Sequence, residues 1–119
     1  MLLIMAQRIV GRAVSGTVAL TTAAARLLDL IQTQLGITVQ DSFREVTLQP
    51  DPEGASDQVR VGDASLGTTV GGVVQKGVTL AGGDSLTETA SSLNTVPAGS
   101  IFVQSVTGTP NVNFQLIPY

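Results

Sequence analysis

From Ile37 to Ile117 the chain is a row of short runs in which apolar and polar residues alternate, each stopped by glycine, proline or small polar residues. Alternation with a period of two marks strands that bury one face and wet the other. Arg44-Glu45-Val46-Thr47-Leu48-Gln49 is one such run, closed by the turn-forming stretch Pro50-Asp51-Pro52-Glu53-Gly54. Gln58 to Gly62 is another, followed by Val73 to Gln75, Val78 to Leu80, Ser85 to Thr89, Ile101 to Ser105 and Val112 to Ile117. The breaks hold Gly71-Gly72, Gly77, Gly82-Gly83-Asp84, Pro97-Ala98-Gly99 and Gly108-Thr109-Pro110. Strands recurring every 8 to 12 residues or so signal a sandwich or barrel. The expectation is mainly β: an antiparallel, jelly-roll-like β-sandwich. No repeat of solenoid or propeller period interrupts this reading.

The part before Ile37 reads differently. Arg8-Ile9-Val10 and Thr17 to Leu20 flank Ser15-Gly16, a common turn dipeptide, which predicts a hairpin. Thr22 is placed to cap a helix over Ala23 to Leu35, a stretch of helix formers without glycine or proline. Ala24, Leu27, Leu28, Ile31 and Leu35 fall on one face of it, and Arg26, Asp29 and Thr33 on the other. Gly36 stands where a left-handed C-terminal residue is wanted. This one amphipathic helix, near the N-terminus, should lie against a sheet or a partner. The organisation expected is residues 1–36 as arm, hairpin and helix and residues 37–119 as sandwich, within one compact domain.

Chemistry is hard to assemble from these side chains. The chain has no His and no Cys, so neither Ser-His-Asp nor Cys-His catalysis can be built, and thiolate metal sites and disulfides are excluded. Paired carboxylates can cleave glycosides, and Glu45, Glu53 and Glu88 are the candidate acids, but sugar sites usually add aromatic platforms and there is no Trp. Asp51 to Asp57 places three carboxylates in one loop without the alternate spacing of an EF-hand; a plain turn is expected. Gly71-Gly72 and Gly82-Gly83 fall between strands, whereas a phosphate loop runs from a strand into a helix. The chain is therefore expected not to be an enzyme and to need no cofactor or metal.

Charge narrows the partners. Six basic and nine acidic residues lie scattered, for a net charge of −3, and only Arg8 and Arg12 lie close together; a nucleic-acid ligand would call for clustered basic residues. Met1-Leu2-Leu3-Ile4-Met5 is far too short to span a bilayer, and Thr17 to Ala25, broken by polar residues, is a poor signal sequence. Neither nucleic acid nor membrane is an expected partner. With 13% charged residues against 43% hydrophobic, the surface reads as one largely covered by other proteins, since free monomers carry more charge for solubility.

An apolar arm is a liability on a soluble monomer, so Met1 to Ala6 either folds back onto the sheet or buries in another subunit. Asn113 to Tyr119 reads as a last strand with Val112, Phe114 and Leu116 inward, Tyr119 remaining as a possible anchor. The partner-interface residues expected from sequence are Leu2, Leu3, Ile4, Met5, Leu27, Ile31 and Tyr119.

Residues Phe43 to Ser105, about half the chain, resemble small virion β-sandwich proteins of tailed bacteriophages, most of all capsid decoration or cement proteins. The resemblance is carried by Glu45-Val46-Thr47-Leu48-Gln49-Pro50-Asp51-Pro52, by Val59-Arg60-Val61-Gly62-Asp63-Ala64-Ser65 and by Gly72-Val73-Val74-Gln75-Lys76-Gly77. Gly82-Gly83-Asp84-Ser85-Leu86-Thr87, Ser91-Ser92-Leu93-Asn94 and Ile101-Phe102-Val103 complete it. Residues 1–36 lie outside it. It implies a structural virion protein on the capsid exterior that stabilises the shell by bridging major capsid protein subunits, as a dimer or trimer. The alternatives it leaves open are a tail, neck or fibre component and a receptor- or carbohydrate-binding sandwich. Sugar binding would draw on Phe43, Phe102, Phe114 and Tyr119, of which at least three look inward-facing.

Overall fold

The computed structural model describes residues 7–52, 58–90 and 96–118; the expectations placed on Leu2, Leu3, Ile4, Met5, Glu53 and Tyr119 lie outside these. In chain order the elements are β1 (Gln7–Ile9), β2 (Val14–Ala19), β3 (Ala25–Arg26), helix α1 (Leu27–Leu35), β4 (Ile37–Val39), β5 (Ser42–Phe43) and β6 (Glu45–Pro50). There follow β7 (Gln58–Gly62), β8 (Thr69–Val70), β9 (Val73–Val74), β10 (Val78–Ala81), β11 (Leu86–Thr89) and β12 (Val96–Pro97). A short 3₁₀ turn at Ala98–Ser100, β13 (Phe102–Ser105) and β14 (Asn111–Ile117) end the described chain.

Eight of these strands form two four-stranded antiparallel sheets, in the orders β2-β14-β6-β11 and β3-β13-β7-β10. With the eight relabelled B to I in chain order, the sheets read B-I-D-G and C-H-E-F. That is the connectivity of a jelly roll, two interlocked Greek keys. The expected β-sandwich is found, and the register shows how its core is made. Val14 and Val18 of β2, Val112, Phe114 and Leu116 of β14, and Val46 and Leu48 of β6 are buried on one inner face. Val59 and Val61 of β7, Leu80 of β10 and Val103 of β13 are buried on the other. Period-two alternation puts one face of each strand inside, so these branched and aromatic side chains interdigitate between the sheets. Ser105, the one buried polar residue among those described, turns its hydroxyl toward the carbonyls of Thr107 and Gly108 at 2.8 and 2.9 Å.

The hairpin expected at Ser15-Gly16 is not formed. The chain instead bends at Gly11-Arg12, and β1 pairs in parallel with β4. Gly16 lies inside β2 opposite Phe114, where a Cβ would stand 3.2 Å from the Phe114 ring and 3.1 Å from Leu35. Its missing side chain makes room for an aromatic ring, and no turn is involved.

The helix is shorter than expected. Ala25 and Arg26 have good helical propensity, but they pair with Val103 and Phe102 as β3, completing the second sheet; tertiary pairing overrides a local preference of a few tenths of a kcal/mol per residue. Helix α1 then starts at Leu27, whose N–H donates to Ile101 O at 2.9 Å, and ends as expected at Gly36 in the left-handed conformation. Leu27, Leu28 and Ile31 are buried against the sandwich. The Gln34 carboxamide both donates to Ala19 O and accepts from Ala19 N, at 2.8 Å each. It imitates a neighbouring peptide group and caps that position on the outer edge of β2. The helix thus closes the β2/β3 side of the sandwich, and among the described residues β10 and β11 are the open edges of the other side.

Candidate interaction surface

Between β7 and β10 the chain leaves the sheet and returns through a hairpin, β8 paired with β9. Its base is fastened. Asp63 accepts from the Ser65 N–H and hydroxyl, closing an Asx turn, and Leu66, 3% exposed, is the anchor that enters the protein. The Ser65 hydroxyl and amide also hold the Asp63 carboxyl below the usual carboxylate range. Gly67 N–H donates to Gln75 O, and Gln75 N–H to Thr68 O, so the ladder runs down from the tip. At the tip Gly71 and Gly72 both have positive φ, 58° and 83°; a two-residue turn of that hand matches strand twist and excludes most other residues.

What this stiff support carries is apolar. Val70, Val73 and Val74 are 58%, 62% and 45% exposed, and Val78 at the start of β10 is 51% exposed. Lys76 is the one charged residue between Asp63 and Asp84. Val70 and Val73 pair across the tip and share a face, whereas Val74, paired with Thr69, points to the other; scattered exposed valines are ordinary, and it is their grouping on one hairpin that makes it a candidate contact surface.

Behind Val78 lies a cleft of ≈ 320 Å³. It lies between the edges β10 and β11, which among the described residues leave this side of the sandwich open. Val46, Leu48, Val61 and Leu86 line its walls, and Val96, Pro97 and Ile101 are at its floor. The register puts Glu88 opposite Val46, hence on the inner face of β11, where it is exposed at the mouth. It is the sole charged residue of the lining.

The other sequence candidates separate. Leu27 and Ile31, expected at a partner interface, are 0% exposed and belong to the chain's own core; the sandwich side they cover leaves them no surface for a partner. Glu45 and Glu88 cannot work as a pair: Glu45 pairs with Thr89 and Glu88 with Val46, so adjacent residues of opposite orientation put the two carboxylates on opposite faces of the sheet. Gly82-Gly83 closes the β10–β11 turn, where Asp84 accepts from Ala81 N at 3.0 Å, and neither glycine pair opens a helix. Among the described residues no three His, Cys, Asp or Glu side chains cluster as metal ligands, and no helix is long and apolar enough to cross a membrane. Phe43 and Phe114 are buried and Phe102 half-buried, so the first two offer no stacking platform. Phe102 borders a shallow depression with Arg26, Asp63 and Ser65. Its charges are satisfied internally, Arg26 by Asp29 at 2.8 Å, which raises the Arg26 pKa, and Asp63 by Ser65.

The valine hairpin and the cleft were missed in sequence because Val73 to Gln75 and Val78 to Leu80 read simply as two more strands. The signal was present in the absence of charge from Ala64 to Leu80 apart from Lys76. Comparison of the chain with protein-family models, with curated proteins and with solved structures finds no match.

Proposed function

We propose that this chain is a non-enzymatic structural protein of a tailed-phage virion, a decoration or cement protein that sits on the capsid exterior and bridges major capsid protein subunits. The observation that carries the proposal is the Val70–Val73–Val74 hairpin, an apolar tip on a base fixed by Leu66 and the Asp63 turn. A cement protein must bury apolar surface on a neighbour without losing its own shape. A preorganised hairpin does so at little cost in chain entropy. The jelly roll is a fold that viral capsid and lectin domains share. Because fold alone does not assign function, the aromatic inventory weighs between those two: Phe43 and Phe114 are spent in the core, which disfavours a sugar-binding face. The sparse charge of the surface agrees with a protein that works while covered.

The test is co-sedimentation of purified protein with empty phage shells. Binding at a fixed ratio to capsid subunits is expected, with Val73→Asp and Val74→Asp together removing it while the soluble protein keeps its circular dichroism. A protein that stays in the supernatant at saturating shell concentration sinks the proposal. Retention on host cells or glycans in place of shells would move the protein to a tail or fibre.

A further inference from the structure

The β8–β9 hairpin departs from the pattern of the sandwich strands. In β6 and β14 buried apolar residues alternate with wetter ones, so each strand hides one face and shows the other. In the hairpin Val73 and Val74 are consecutive; Val70 lies across the ladder from Val73, and Thr69 across from Val74. Both faces of the ribbon are therefore apolar near the tip. Adjacent apolar residues mark a strand covered on both sides, yet every residue from Gly67 to Val74 is exposed. A Cβ added at Gly71 or Gly72 would meet nothing within 4 Å, so the tip stands clear of the sandwich.

We infer that the site receiving this hairpin is a crevice with apolar walls on both sides and a carboxylate at its rim, which the ribbon enters tip first. The inference rests on the shell-binding reading above and adds to it the shape and charge of the capsid surface that is met. A flat partner surface covers Val70 and Val73, or it covers Val74, and leaves the other face in water. Entry into a crevice buries all three. A two-stranded ribbon is marginal by itself, but this one is held at its base by Gly67 N–H to Gln75 O at 2.6 Å and Gln75 N–H to Thr68 O at 2.8 Å. The wedge is formed before it meets the crevice, so little ordering is left to be done on binding.

Charge supplies the rim. Lys76, two residues beyond Val74, is exposed and joins no ion pair among the described residues. The acids that bracket the segment are engaged elsewhere, Asp63 by Ser65 and Asp84 by the Ala81 N–H. With the tip seated, Lys76 comes to the edge of the crevice, its aliphatic stem along the apolar wall and its ammonium toward water. A carboxylate on the rim meets it there, speeds the encounter and fixes which way round the ribbon enters.

The experiment is a titration of the purified full chain against empty phage shells, read by co-sedimentation. Val73→Thr tests one face and Val74→Thr the other; both keep the shape and strand preference of valine at exposed positions, and circular dichroism checks that they fold. Each is expected to weaken shell binding about tenfold, because a hydroxyl is pressed unpaired against an apolar wall. Lys76→Ala is expected to weaken binding and to remove the loss of affinity that wild type shows between roughly 0.05 and 0.5 M salt, whereas Lys76→Arg keeps both. Wild-type affinity in either valine variant means a one-sided contact and overturns the crevice. A salt response unchanged in Lys76→Ala overturns the acidic rim. Shells that retain no wild-type protein overturn the cement reading and the crevice together, so the two failures are told apart by wild type alone.

Discussion

Gly77 should be the least replaceable residue outside the core. It has φ of +63°, and a Cβ built on it would lie 2.2 Å from the Val61 carbonyl oxygen and 2.9 Å from the Val61 carbonyl carbon. Three costs follow from Gly77→Ala. The left-handed conformation costs about 1–2 kcal/mol for any residue with a Cβ. The Cβ is about 1 Å short of ordinary contact with main chain, so β7 must move, a wedge worth about 1–3 kcal/mol. Val61 pairs with both Val78 and Val103, and that movement strains a ladder hydrogen bond worth about 1 kcal/mol. The expected destabilisation is about 3–6 kcal/mol, a large share of the roughly 5–15 kcal/mol available to a domain. Gly72→Ala is the matched control: φ is +83° and nothing lies within 4 Å, so the conformational cost of about 1–2 kcal/mol stands alone. Urea unfolding of both variants against wild type measures the difference. With a slope of about 1–1.5 kcal/mol/M for so small a domain, their midpoints should differ by more than 1 M. Midpoints that agree within error would show that β7 yields freely and would refute the steric reasoning.

Ile31→Ala should cost about 2–5 kcal/mol by the cavity it leaves, read from the urea midpoint; a change under 1 kcal/mol would place Ile31 outside the core. Gln34→Ala should lower stability by about 1 kcal/mol and raise light scattering on warming, because it uncovers the Ala19 peptide groups on the β2 edge. Since the folded pKa of Asp63 is depressed, its ionised form favours the fold. That contribution is fully present above the unfolded value of 3.8 and disappears as pH falls through the lower folded value. The Ser65 amide resonance should report this as a shift below pH 3.8 that Asp63→Ala abolishes.

The sequence exposed the sandwich because alternation is a local signal: β6, β7, β13 and β14 each bury every second residue, as their Val, Leu and Phe spacing demands. It did not expose β3, since nothing local in Ala25-Arg26 prefers a strand over the helix that follows; the preference comes from Phe102 and Val103, far along the chain. Ser15-Gly16 misled for a related reason, a turn-forming pair being equally suited to a strand that must pass beneath Phe114. The interaction surface was obscured further. Val78 continues the inner face of β10 and carries the same pattern as the buried Leu80, and only its place at an edge without a described neighbour leaves it exposed. Leu27 and Ile31 were legible as one apolar face, but whether that face met the chain's own sheets or a partner depended on which sandwich side the helix closed.

The place of β14 in its sheet governs when the protein can form at all. It is the last described strand, yet it lies between β2 and β6 and supplies a neighbour to each. During synthesis, β2 and β6 must therefore wait, with one flank unpaired, until residue 117 has left the ribosome. The sheet cannot be completed before β14 is available, and its pace is set by closing a loop from Val14 to Leu116. A nonsense mutation a few codons before that point takes the middle out of the sheet, with far worse effect than trimming an end.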